Sequence, residues 1–188
     1  MDSGITIDGE EDPERTAILL NIPLAATNAI GSIIALFIID SLGRRWIMLK
    51  SLPGLFLTLC LISLSMYLSL YSEDQKTKND GHILFFVMII LYLLFFSIGF
   101  GATVWTVNSE IYPIHLVSTG VALATATNWL SNFAVSSVFL SSMEADGGKV
   151  FTFLILAFFT LCAFVFIYFL LPETAGKRIE ENVQNIIG

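Results

Sequence analysis

The stretch that decides the fold is residues 83–113, ILFFVMIILYLLFFSIGFGA followed directly by TVWTVNSEIYP. Residues 83–102 carry no charge at all. A run of that length and apolarity matches the roughly 20 residues that cross a bilayer core as a helix. Then come a Trp, an Asn, a Ser, the lone Glu110 and a Tyr-Pro turn. Glu110 falls where the helix finishes, and there the backbone dipole already presents partial negative charge. A carboxylate is unfavourable in that place unless a positive group from elsewhere in the chain answers it.

Outward from this stretch the same pattern repeats. The chain has 188 residues, 55% of them hydrophobic and 13% charged, with a mean hydropathy of +0.79. Soluble domains use about 25% charged residues. Apolar blocks lie near 17–39, 47–70, 83–107, 118–140 and 149–171, each of spanning length. The sequence therefore predicts an all-α integral, multi-pass membrane protein with five transmembrane helices over 17–171. An acidic extracellular tail at 1–16 and a cytosolic tail at 172–188 flank it.

The N-terminus, MDSGITIDGEEDPER, is acidic and does not read as a signal peptide, which begins with a basic region. It also supplies much of the net charge of −7, which therefore says little about partners. Cys60 and Cys162 fall inside spans and read as small buried hydrophobes, with neither disulfide nor metal implied. Lys and Arg near helix ends set orientation. Arg44, Arg45 and Lys50 in the first connection, with Lys177 and Arg178 at the end, put that side in the cytosol. Arg15, Lys76, Lys78 and Lys149 fall on the other side, diluted by acids.

Three spans carry polar stripes. In the fourth, Thr125, Asn128, Asn132 and Ser136 recur on one helical face. In the first, Asn21, Asn28 and Ser32 do so, with Pro23 nearby as a kink site. In the third, Ser97, Gly101 and Trp105 stand four apart. Any single Asn serves equally well as glue between helices or as cavity lining. Taken together, the stripes favour one wet central cavity. No metal-ligand spacing, nucleophile elbow or phosphate loop occurs, and His82 and His115 sit near span ends. No enzymatic activity, cofactor or nucleic-acid partner is expected.

The short loops are more specific. IIDSLGRRW places Asp40, Gly43, Arg44 and Arg45 in one tight turn. D-x-x-G-R-R, W-T-V-N-S-E-I-Y-P, N-W-x-x-N-F and P-E-T-x-G, in that order from about residue 16 to 182, resemble the sugar porter family of the major facilitator superfamily, and most of all its inositol transporters. The resemblance implies that the five spans correspond to helices eight to twelve of a twelve-helix fold. The N-terminal half and helix seven, with its Gln-rich motif, have no counterpart in these residues.

Carried over position by position, the resemblance implies a substrate site at Asn28, Ser97, Trp105, Asn128 and Asn132. It implies an indole under the apolar face of a sugar or polyol, with amides on its hydroxyls. It further implies a cytosolic gate of Asp40, Arg44, Arg45, Glu110 and Glu173, released during alternating access. Several positions depart from the family pattern. Ser97 stands where many members have an acid, and Val104 replaces the proline before the Trp, so the hinge rests on Gly99 and Gly101. Val117 replaces an expected Arg, His115 another basic residue and Ala175 a Lys.

These residues thus read as the C-terminal part of an alternating-access transporter for myo-inositol or a hexose, inactive without the missing N-terminal helices. The competing reading is a truncated, non-transporting membrane protein that associates with full-length sugar porters. A transport-less sensor fits less well, because the tail ends soon after Arg178. Both a proton-coupled and a facilitative transporter of a sugar or polyol fit these residues, in the plasma membrane or an endomembrane.

Overall fold

Glycine, proline and one capping aspartate divide the apolar chain into helices. The structure, a computed structural model, describes residues 13–144 and 147–177, with side chains from 18 to 142 and from 147 to 177. Most of the expected N-terminal tail and the end of the C-terminal tail, Arg178 included, lie outside the described residues. The elements in order are α1 (Pro13–Leu42), α2 (Arg44–Tyr71), α3 (Gln75–Phe96), a π-helical turn (Ser97–Gly101), α4 (Thr103–Glu110), α5 (Val117–Glu144) and α6 (Gly148–Leu170).

Only Gly43 separates α1 from α2, and its φ of +88° lies in the region that side chains avoid. Asp74 starts α3 by accepting from the backbone N–H of Lys76 and Thr77. The hydroxyl of Thr77, followed by those two amides, holds the Asp74 carboxyl below its ordinary range. α6 stops at Leu170, two residues before Pro172, which disfavours helical backbone in the residue ahead of it.

Among the described residues four helices are long and apolar enough to cross a membrane: Ile18–Leu42, Arg44–Tyr71, Gln75–Glu110 and Gly148–Leu170. All but α6 run longer than the apolar blocks suggest, because their polar ends continue the hydrogen-bonded ladder past the hydrocarbon-length core. The expected fourth span is the 28-residue helix α5. Its length suffices, but Ser, Thr and Asn keep it outside that group of four.

α2 is the hub. Half of its most apolar window is buried, against 11–17% in the other three spans. It packs chiefly on α3 and α6, whereas α1 packs on α3 and the π turn, and α5 touches α6 and α4. Met48, Leu52, Leu55, Val107 and Ile167 form the core, flanked by Phe95, Phe100 and Phe164. Without a hydrophobic drive in lipid, such contacts rely on close packing of small residues. A Cβ on Gly99 would overlap the Ser51 side chain, and one on Gly31 would meet Ser97 Cβ at 2.6 Å. α1 and α2 thus clasp the π turn from two sides.

Two expectations are corrected by the packing. Cys162 is exposed, because α6 turns one face away from the bundle, and Cys60 on α2 is only partly buried. Ser97 and Trp105 do not share a face. The π turn inserts one residue and rotates the helix beyond it by about 100°, so Ser97 is fully buried while Trp105 is 46% exposed.

Candidate functional site

At one end of the bundle the C-termini of α1, α4 and α6 meet the N-terminus of α2. The partner that Glu110 requires is Arg44, whose Nη2 donates to Glu110 Oε1 at 3.1 Å. The same Nη2 lies 3.0 Å from Asp40 Oδ1, one helical turn back across Gly43. The Arg44 side chain is 12% exposed, Glu110 23% and Asp40 79%. The mostly buried pair with Glu110 is therefore the stronger contact, since exposed pairs contribute little.

Glu173 does something different from pairing with an arginine side chain. Its carboxylate accepts from the backbone N–H groups of Arg44 (2.9 Å), Arg45 (3.1 Å) and Trp46 (3.4 Å), and from Ala175 (3.1 Å). The first three are amides that a helix start leaves without an intrahelical partner, and the positive end of the α2 dipole adds to the attraction. The absence of a side chain at Gly43 leaves room for this, as a Cβ there would sit 2.7 Å from Glu173 Oε2.

Arg45 reaches neither Glu110 nor Asp40. Its Nη2 donates to the carbonyl of Tyr168 at 2.6 Å, near the end of α6, where carbonyls lack intrahelical donors. Glu110 Oε2 and the Nε atoms of Arg44 and Arg45 are buried with no hydrogen-bond partner among the described residues. Lys50 stands over the Trp46 ring at 5.8 Å, a cation–π contact at the same end.

The polar stripes lie away from this end. Asn28 on α1 and Ser97 in the π turn come together, with Oδ1 and Oγ 2.5 Å apart. Trp105 on α4 and both Asn128 and Asn132 on α5 are exposed, and the two asparagines form no hydrogen bond among the described residues. α1 and α5 make no substantial contact with each other. Two concavities lie elsewhere: an open depression at Ser137, Val138, Ser141 and Ser142, and an apolar groove lined by Leu52, Pro53, Phe56, Thr160, Leu161 and Phe164. Neither carries the hydrogen-bonding groups of Asn28, Asn128 or Asn132.

Two participants were not singled out by the sequence pattern. Gly31, one turn beyond Asn28, admits Ser97 to α1. Its signal was available, because positions three apart share a helix face. The carbonyl of Tyr168 carries no signature in sequence.

Residues 9–185 match the profile of the family described as sugar (and other) transporter. The chain is 31% identical over 182 residues to myo-inositol transporter 1 of Saccharomyces cerevisiae, an alignment covering 92% of this chain and 30% of that protein. It is 46% identical over 109 residues to the proton myo-inositol cotransporter hmit-1.2 of Caenorhabditis elegans, covering 58% of this chain and 18% of that one. Its fold is similar to the inward open conformation of the xylose transporter XylE from E. coli. The TM-score is 0.73 at 23% identity, over 91% of this chain and 36% of that chain. The chain thus spans about a third or less of the length of the proteins it matches. On the residues matched, the chain belongs to the sugar (and other) transporter family.

Proposed function

We propose that the chain forms the C-terminal part of a membrane transporter for a sugar or polyol, myo-inositol or a hexose, that works by alternating access. The observation that carries this reading is helix α4. It bears the exposed Trp105 and, five residues on, Glu110 held by Arg44. One short helix thus joins a surface suited to a polyol to a charge cluster at the bundle end. An indole covers the apolar face of a ring, and the amides of Asn28, Asn128 and Asn132 supply donors and acceptors for its hydroxyls. A shift of α4 changes both places together.

In this reading the Asp40, Arg44 and Glu110 network and the Glu173 cap hold α1, α2, α4 and the segment after α6 as one body while the inner side is closed. Opening strains these contacts as one bundle rocks on the other. The substrate cleft needs a second wall from further helices, in keeping with the exposure of Asn128 and Asn132. The bundle end that carries Arg44, Arg45 and Lys50 faces the cytosol by the charge rule. The myo-inositol transporters among the relatives support a polyol substrate, and the cotransporter name supports proton coupling as one arm of the test.

Proteoliposome uptake of labelled myo-inositol and glucose tests the proposal. This chain alone is expected to give no saturable uptake, and the chain joined to the remaining helices of the fold is expected to give it. Imposing a proton gradient in the second case reads coupling. Saturable uptake by the chain alone, or none by the completed fold, overturns the reading.

A further inference from the structure

The Ser97 hydroxyl has one proton and two acceptors within reach: Asn28 Oδ1 at 2.5 Å and its own helix carbonyl, Leu93 O, at 2.7 Å. Leu93 O already receives the backbone N–H of Ser97. The Asn28 amide oxygen has no other hydrogen bond among the described residues, and two oxygens this close repel each other unless a proton lies between them. The proton therefore goes to Asn28. Ser97 itself is fully buried and cannot touch a solute in the cleft. Asn28 is exposed, and with Oδ1 turned inward its two N–H groups turn outward.

We infer that Ser97 is a positioning residue that fixes the polarity of Asn28, so that at this point the site offers donors and recognises an acceptor oxygen of the polyol. The inference rests on the transporter reading above and goes further than it in assigning the direction of one hydrogen bond. Gly31 belongs to the same device. It lies three residues beyond Asn28 on the face of α1 turned to Ser97, and a Cβ there would approach Ser97 Cβ to 2.6 Å. Only a glycine lets α1 come close enough for the hydroxyl to reach the amide. The start of the π turn at Ser97 fixes the other side of the contact.

A polar group that acts only through its neighbour has a measurable signature. When the neighbour is already gone, removing that group changes nothing further. The test is a double-mutant cycle on the complete transporter that carries this chain, with labelled myo-inositol uptake as readout. Ser97→Ala is expected to raise KM about fivefold with Vmax and surface expression unchanged, the weight of one hydrogen bond. In an Asn28→Ala background the same change is expected to leave KM where it is. A KM effect of equal size in both backgrounds, or none in either, overturns the inference while leaving the transporter reading intact. Absence of uptake by the unsubstituted transporter overturns that reading instead.

The geometry is read independently of transport in the purified chain. With asparagine side chains labelled with nitrogen-15, Ser97→Ala is expected to shift the Asn28 side-chain amide signals, which Asn28→Asp identifies. Unmoved Asn28 signals contradict the hydrogen bond whether or not the protein transports.

Discussion

Arg44 at the start of α2 reaches Glu110 at the end of α4, Nη2 donating to Oε1 at 3.1 Å. Both ends of this pair sit against helix termini of the wrong sign for them: a cation at a helix start, an anion at a helix end. Each is therefore unfavourable alone and acceptable only with the other.

Arg44→Gln and Glu110→Gln are each expected to cost about 2 kcal/mol, less than the ~3–5 of fully buried pairs because both side chains keep some solvent contact. Asp40→Asn is expected to cost less than about 1 kcal/mol, since the Asp40 side chain is 79% exposed. Denaturant titration of the purified chain in one detergent compares the three. A loss on Asp40→Asn as large as on Glu110→Gln contradicts the assignment.

Glu173 holds the first amides of α2 from a position 129 residues away in sequence. Glu173→Ala is expected to cost about 1–2 kcal/mol, the range for losing a strong helix cap. Glu173→Gln keeps one acceptor oxygen and falls between. Hydrogen exchange locates the effect: the amides of Arg44, Arg45 and Trp46 exchange faster, and those in the middle of α2 do not. Uniform loss of protection along α2 contradicts the cap.

The two glycines of the π turn differ in what surrounds them. A Cβ on Gly99 would overlap Ser51 Oγ, whereas one on Gly101 finds nothing nearer than Ser32 Oγ at 4.0 Å. Gly99→Ala is expected to destabilise by about 1–3 kcal/mol through overpacking, with Gly101→Ala close to neutral. Thermal unfolding of the two variants decides, and equal effects contradict the packing of α2 against the turn.

Asp74 supplies the one pH expectation. Its carboxyl is held below the ordinary range by Thr77 and by the amides of Lys76 and Thr77. Its cap is complete above the unfolded carboxylate pKa and is lost only as pH falls through the lower folded value. At about pH 5 the Lys76 and Thr77 amides are thus expected to exchange more slowly in the unsubstituted chain than in Asp74→Ala. No difference between the two contradicts the cap.

The helical membrane architecture was legible because apolar blocks of spanning length leave little else for the chain to do. The Gly43 turn was legible too, from a glycine between Asp40 and the two arginines. The contacts that escaped sequence reasoning depend on the backbone of distant elements. The Pro-Glu-Thr segment suggested a charge cluster, but a sequence cannot say that Glu173 binds amides and not guanidinium groups. Arg45 likewise met a carbonyl of α6. The spacing of Ser97, Gly101 and Trp105 suggested a shared face because it assumed an unbroken α-helix. The π turn at Gly99 and Gly101 falls where the missing proline left the hinge to those residues, and its extra residue separates the face of Ser97 from that of Trp105.

The central claim, that a polyol is held beside Trp105, is tested most directly by comparing two tryptophans in one assay. Trp105 and Trp129 are both exposed, but only Trp105 lies on the helix that ends at Glu110. In myo-inositol uptake by the complete transporter, Trp105→Ala is expected to raise KM about tenfold, equivalent to ~1.4 kcal/mol, with Trp129→Ala near the unsubstituted value. An unchanged KM for Trp105→Ala, or the larger effect at Trp129, contradicts the account.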